Sequence, residues 1–264
     1  MNNTFNTGRF GLLLRKTILE RPVQMMGFTA MSYALSFIIY IVAKSFMFIG
    51  AAQSLAFIWG LLLGSSFLAS FVFGYFSTNA SGSSYLTLPA SHLEKWLCGV
   101  LITGVLYPIL FLVFFRLMDA AFVSIYHHGL GPDSPFYKRD YDAVYLFDYT
   151  GHIARDVYRL FLLMTGTALV GSLYFNKLPF IKVMLGICLL CLGVMGLNIV
   201  IAKLMFGNVA DAAPFSHVTL TVGKEEASID LPERVGQVFQ FSLWYILPAV
   251  LWLLSFTRLK EKQF

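Results

Sequence analysis

The sequence predicts an all-α membrane protein: six transmembrane helices, an N-terminal interfacial helix and a small outer β-hairpin. Three observations lead there. Of the 264 residues, 58% are hydrophobic and only 12% are charged, where a soluble domain carries about 25% charged residues. The mean hydropathy of +0.72 places most of the chain in lipid. The apolar residues also gather in six runs, each near the ~20 residues that a helical span needs.

The runs are Met25–Val42, Ala52–Phe73, Leu97–Leu117, Val157–Phe175, Val183–Ala202 and Val235–Phe256. Backbone polar groups in hydrocarbon must be satisfied within the segment, so each run is read as a helix. The alternation of a membrane barrel is missing from them. Six crossings bring both ends to one side. Arg9, Arg15, Lys16 and Arg21 precede the first span, Lys177 and Lys182 lie between the fourth and fifth, and Arg258, Lys260 and Lys262 follow the last. Short basic segments of this kind stay in the cytoplasm, which predicts cytoplasmic termini.

Residues 1–22 form a separate element. Phe10, Leu13, Leu14, Thr17 and Ile18 recur at helical spacing, with Arg9, Arg15, Lys16 and Glu20 largely elsewhere. That pattern suits a basic helix lying in the headgroup layer. The pair Arg21-Pro22 ends it, because a proline disfavours helix at the residue before it. The stretch is too long before its first apolar run to read as a cleaved signal peptide. Residues 23–264 are then the six-span domain.

Two outer segments, 118–156 and 207–234, are longer than connections require. In the first, Tyr137, Tyr141, Tyr145 and Tyr149 recur every fourth residue, which predicts a surface helix at the membrane boundary. His127 and His128 lack carboxylates at ligand spacing and read as part of a solvated loop. In the second, HVTLTV and ASIDLP flank GKEE and read as two strands around a turn.

Several chemistries are excluded. Gly223-Lys224 is followed by Glu225 and has no upstream glycine, so there is no P-loop, and no H-E-x-x-H or G-x-S-x-G occurs. No cofactor or metal is expected. The net charge of +5 is scattered and gives no nucleic-acid footprint. Cys98, Cys188 and Cys191 all lie in apolar runs and read as buried packing residues rather than a redox pair. Proton relays place ionisable groups inside spans, whereas Lys44, Arg116, Arg159, Lys182 and Lys203 lie near span ends. The notable polar residues deeper in the runs are Thr165, Thr167, Asn198 and Gln240, and Asn198 is expected to bond across helices. Pro108 and Pro248 predict kinks in the third and sixth spans.

The cytoplasmic loop at residues 76–95 is the most ordered polar stretch. Ser91 followed by Glu94 is an S-x-x-E capping box, and Pro89 discourages helix before it. A helix therefore starts near Ser91 and runs on through Trp96 into the third span. STNASGSS upstream reads as a flexible approach. Tyr85, Leu86 and Leu88 are expected on a short exposed segment, which suggests a docking surface.

A cytoplasmic L-P-x-S-x-x-E-K between the second and third of six spans resembles the permease subunits of type-2 ABC exporters. Here it is Leu88, Pro89, Ser91, Glu94 and Lys95. The resemblance implies a coupling helix that contacts a separate ATP-binding subunit, and an elbow helix in the position of residues 1–22. It implies a partner-binding loop comprising Tyr85, Leu86, Leu88, Pro89, Ser91, Glu94 and Lys95. It further implies a bacterial inner-membrane location, a homodimer or paired permease, and no catalysis in this chain. The longer outer segments depart from the simplest members. The alternative is a non-transporting assembly or sensing subunit whose outer segments bind a partner, and a secondary transporter comes third.

Overall fold

The fold is given by a computed structural model. It describes residues 5–20, 22–77, 79–131, 137–175, 178–207, 209–212, 214, 217–222, 225–230 and 232–262. Arg21, Lys177 and the expected turn at Gly223 and Lys224 lie outside these.

Helix α1 (Thr7–Glu20) is followed by α2 (Pro22–Phe46) and α3 (Ile49–Val72). Then come α4 (Asn79–Leu86), α5 (His92–Leu101) and α6 (Tyr107–His128). The short α7 (Tyr137–Asp142) precedes α8 (His152–Tyr174) and α9 (Pro179–Phe206). The last two helices are α10 (Glu233–Phe241) and α11 (Leu247–Glu261). Among the described residues six helices are long and apolar enough to cross a membrane: α2, α3, α5–α6, α8, α9 and α10–α11. The chain is a multi-pass, all-α membrane protein with one small sheet.

The third and sixth spans each contain a π-helical turn, Ile102–Leu106 and Ser242–Ile246. Pro108 and Pro248 follow as the second residue of α6 and of α11. A proline has no N–H to give and its ring crowds the carbonyl four residues back, so the preceding turn widens. The kinks expected at the two prolines thus take the form of π-turns.

Helix α3 is the axis of the bundle and presents small residues to its neighbours. A Cβ added at Gly60 would lie 2.7 Å from the Phe111 ring and 2.8 Å from Ser36 Cβ. At Gly64 it would run into the Tyr107 hydroxyl. That hydroxyl donates to the Gly60 carbonyl at 2.8 Å and lies 3.2 Å from Ser32 Oγ, so α2, α3 and α6 meet at one buried phenol. Small residues allow this approach because lipid gives helices no hydrophobic reason to associate.

Helix α9 differs. It buries Val183 and Ala202 and little else. Cys188 and Cys191 are exposed on it, and only Cys98 is buried. The expectation of three packed cysteines is therefore corrected for two, because their helix is an outer stave whose flank lacks a protein neighbour.

The C-terminal part of α11 and the residue after it meet the segments around α4 and α5. Phe256 meets Trp96 edge-on at 5.6 Å, and the Lys262 ammonium stands 5.7 Å over the Phe76 ring. Helix α1, helix α4, the start of α5 and the C-terminal turn of α11 share one face of the bundle.

The opposite face holds the segments 118–156 and 207–234 that were expected to be outer. The hairpin of β2 (His217–Val222) and β3 (Glu225–Asp230) gains a third strand, β1 (Val209–Ala212), in the order β1-β2-β3, all antiparallel. The sequence VADA has weak strand propensity, but Asn198 Nδ2 donates to Ala212 O at 2.8 Å and ties β1 to α9. Asn198 thus bonds to a strand, not across helices as expected. The expected tyrosine helix is only the six residues of α7. His127 and His128 lie in the last turn of α6 rather than in a loop. The segment after α7 is drawn inward by tertiary bonds, which override its helical spacing.

Gly64→Leu should overpack the α2–α3–α6 junction, at a cost of about 1–3 kcal/mol. Size-exclusion chromatography of the detergent-solubilised protein should show a large loss of monodisperse material, with Gly186→Leu, where the added Cβ meets nothing within 4 Å, close to wild type.

Candidate functional site

Ser91, in extended conformation, caps α5. Its Oγ accepts from Glu94 N at 3.2 Å, and Glu94 Oε2 accepts from Ser91 N at 2.7 Å. This is the capping box read from the sequence.

Glu94 does more than close its own box. Its Oε1 accepts from Asn6 N at 2.8 Å and from the Arg9 guanidinium at 3.1 Å. Asn6 in turn caps α1: its Oδ1 accepts from Gly8 N at 2.9 Å and Arg9 N at 3.2 Å. One carboxylate therefore satisfies the cap-residue N–H of two helices. The partial positive ends of α1 and α5 both favour negative charge at that point, and Arg9 supplies a full counter-charge. Glu94 is fully buried, while the Arg9 side chain is one-third exposed. The desolvation that such a carboxylate incurs is offset by three charge-assisted contacts rather than by the ion pair alone.

Lys95, the next residue, is also buried. Its ammonium donates to Leu86 O at 2.9 Å and Leu88 O at 3.3 Å, and stands 5.6 Å from the Tyr85 ring. Leu86 ends α4, so Lys95 satisfies a carbonyl that the helix leaves open. Tyr85 stacks on Tyr75 at 4.5 Å and meets Phe76 edge-on at 5.8 Å. Burial pushes its phenol well above the ordinary range, so it stays protonated. Tyr75 donates to Glu20 Oε2 at 3.0 Å and so reaches the far end of α1. Between these points Cys98 Sγ contacts Thr17 Oγ1 at 3.6 Å.

The expected docking segment is therefore corrected in two respects. STNASGSS is not a flexible approach, since residues 79–86 form α4. Tyr85 is not exposed, and neither are Ser91, Glu94 and Lys95. Leu86 and Leu88 are half-buried, and the residues that face outward are Thr87, Pro89 and Leu93. Exposure was inferred from a polar loop, but the polar side chains turn inward to saturate helix ends.

The node connects to the spans through Trp96, whose indole N–H donates to Ser255 Oγ on α11 at 2.8 Å. Farther along, Trp252 of α11 donates to Leu162 O on α8 at 2.9 Å. The start of the third span is thus tied to the end of the sixth.

A second buried acid marks the opposite face. Asp119, just beyond the Leu117 at which the expected third span ended, accepts from Tyr40 Oη at 3.1 Å, Gln53 Nε2 at 2.8 Å and Phe147 N at 2.8 Å. Gln53 also donates to Tyr145 O at 2.8 Å, and Tyr149 Oη donates to Leu112 O at 2.8 Å. These bonds strap residues 144–149 onto α2, α3 and α6. The Arg116 guanidinium lies 4.2 Å over the Tyr149 ring. Asp119 was missed because hydropathy ends the span before it, and a polar residue in a helix interior carries no local signature. Asn6 was missed as well, although an Asn ahead of a helical pattern is an N-cap signal.

No group of three or more His, Cys, Asp or Glu residues able to hold a metal occurs among the described residues. No family model, curated protein or solved structure matches this chain.

Glu94→Ala should cost about 2–3 kcal/mol, since hydrogen bonds to charged groups contribute about 1.5–3 kcal/mol each and Arg9 is only partly screened from water. Glu94→Gln keeps an acceptor for only one of the two helix starts and turns its amide NH2 toward the other N–H, so it should cost less than Glu94→Ala but still about 1–2 kcal/mol. Thermal unfolding read by dye labelling of Cys98, in a Cys188→Ser, Cys191→Ser background, should rank them in that order.

Proposed function

We propose that this chain is the membrane-spanning subunit of an ATP-driven exporter of the bacterial inner membrane. It is powered by a separate ATP-binding subunit that docks on the α4–α5 corner, and it works as a dimer or paired permease. The observation that supports this reading is the shared cap at Glu94. A docking corner must move as one piece if it is to pass on the motion of a partner. Here α1, α4 and α5 are bound to one another through Glu94 and Lys95, and α5 runs straight into the third span.

In this reading Thr87, Pro89 and Leu93 offer the contact surface, with Leu86 and Leu88 partly behind them. Tyr85, Ser91, Glu94 and Lys95 act as positioning residues. Closure of two ATP-binding subunits would push α4–α5 as a rigid body. The Trp96–Ser255 bond would carry that push to the sixth span, and the π-turns of both spans lie where they would bend. Both termini face the cytoplasm, as the basic residues around them favour.

The alternative is a non-transporting assembly or sensing subunit. What favours it is the outer strap, since Asp119 holds residues 144–149 more firmly than a plain connection needs.

Leu93→Asp changes an outward residue and leaves the caps intact. It should reduce co-purification with the ATP-binding subunit at least about tenfold, the equivalent of about 1.4 kcal/mol, at unchanged membrane levels. Retention of the partner and of transport would count against the coupling role. In sealed right-side-out cells, tags at Met1 and Phe264 should resist external protease, while a tag at residues 224–226 should be cut.

A further inference from the structure

A groove of about 650 Å³ opens between α8, α9 and the π-turn and helix of the sixth span. Its walls are aliphatic, with Leu163 and Val170 from α8, Ile187 and Leu190 from α9, and Leu247 and Leu251 from α11. The Thr167 hydroxyl in it is already bonded to Leu163 O at 2.7 Å, so it offers the contents no free donor. Gly186 faces it, and a Cβ there would meet nothing within 4 Å. The volume is that of a small-molecule site, and most of its lining is apolar.

One end is different. Lys182 stands at the mouth on the face shared by the chain termini. It is exposed, and its ammonium lies 5.3 Å over the Phe175 ring. Beside it the Arg258 guanidinium lies 4.2 Å over the Tyr174 ring and pairs with Glu261 at 2.8 Å. An occupant that fits both parts is an amphiphile with an apolar chain and an anionic head.

We infer that this groove binds an anionic phospholipid, its acyl chain between α8, α9 and α11 and its phosphate on Lys182. Charge decides against a second copy of the chain as the occupant. The acids on this face, Glu20, Glu94 and Glu261, are paired with Lys16, Arg9 and Arg258. A second copy would bring Lys182 no unpaired carboxylate among the described residues of that face. Anionic lipids, in contrast, attract basic residues at the membrane surface. The site is independent of any ATP-binding partner.

The test is native mass spectrometry of the purified full chain, released from micelles doped with phosphatidylglycerol or phosphatidylcholine. Wild type should retain phosphatidylglycerol about fivefold over phosphatidylcholine, the effect of one surface lysine. Lys182→Gln should remove that preference and leave the phosphatidylcholine level unchanged. Gly186→Phe, which sends a ring into the groove from a position where an added Cβ meets nothing within 4 Å, should lower retention of both lipids. An undiminished preference in Lys182→Gln would overturn the inference. So would full lipid retention in Gly186→Phe, displacement by inorganic phosphate alone, or loss of a dimer in Gly186→Phe with lipid retention unchanged.

Discussion

A carboxylate buried in a membrane protein stays ionised only if enough donors converge on it, and Glu94 meets that condition by serving two helices. It accepts the cap-residue N–H of α5 from Ser91 and that of α1 from Asn6, with Arg9 completing the shell. Each helix alone would leave a donor open at its start. Joined at one carboxylate, the two starts are satisfied together, and the surface helix is fixed to the span. Lys95 applies the same economy to the other side of the corner, closing the end of α4 with the charge adjacent to Glu94.

The opposite end of the bundle repeats the device with different parts. Asp119 has three neutral donors and no arginine bonded to it, and one of the donors is the backbone of an outer strap. The bundle is thus fastened at each face by a buried acid that bridges elements distant in sequence. Between the faces the packing is of another kind: small residues on α3, the phenol of Tyr107, and aromatic rings such as Phe57 on Phe115 at 5.2 Å. The two π-turns fall in this middle zone, where backbone bonding is already loosened. The ends are thus held by polar bonds and the middle by packing.

The two halves of the bundle are unequal. Helices α2, α3, α6 and α8 enclose the core, while α9 stands outside it with most of its surface open. For a soluble protein that would be an aggregation hazard; in a bilayer it is the face that meets lipid. The exposed Cys188 and Cys191 belong to this less-covered helix.

The six spans, the amphipathic start, the hairpin and the Ser91–Glu94 box were legible in the sequence, because each depends on local pattern: apolar length, helical or alternating spacing, or a four-residue cap. What the sequence left open were interactions between distant segments. Nothing near Glu94 marks Asn6 as its second donor, 88 residues away, and nothing near Asp119 marks the Phe147 backbone. Other contacts between separate segments accompany the helix at residues 79–86, the burial of Tyr85, the short tyrosine helix and the addition of β1 to the sheet. Local propensity proposes an element only weakly where tertiary contacts can outweigh it. In this chain those contacts are concentrated at the two faces, where polar groups leave the water and must find partners in the fold.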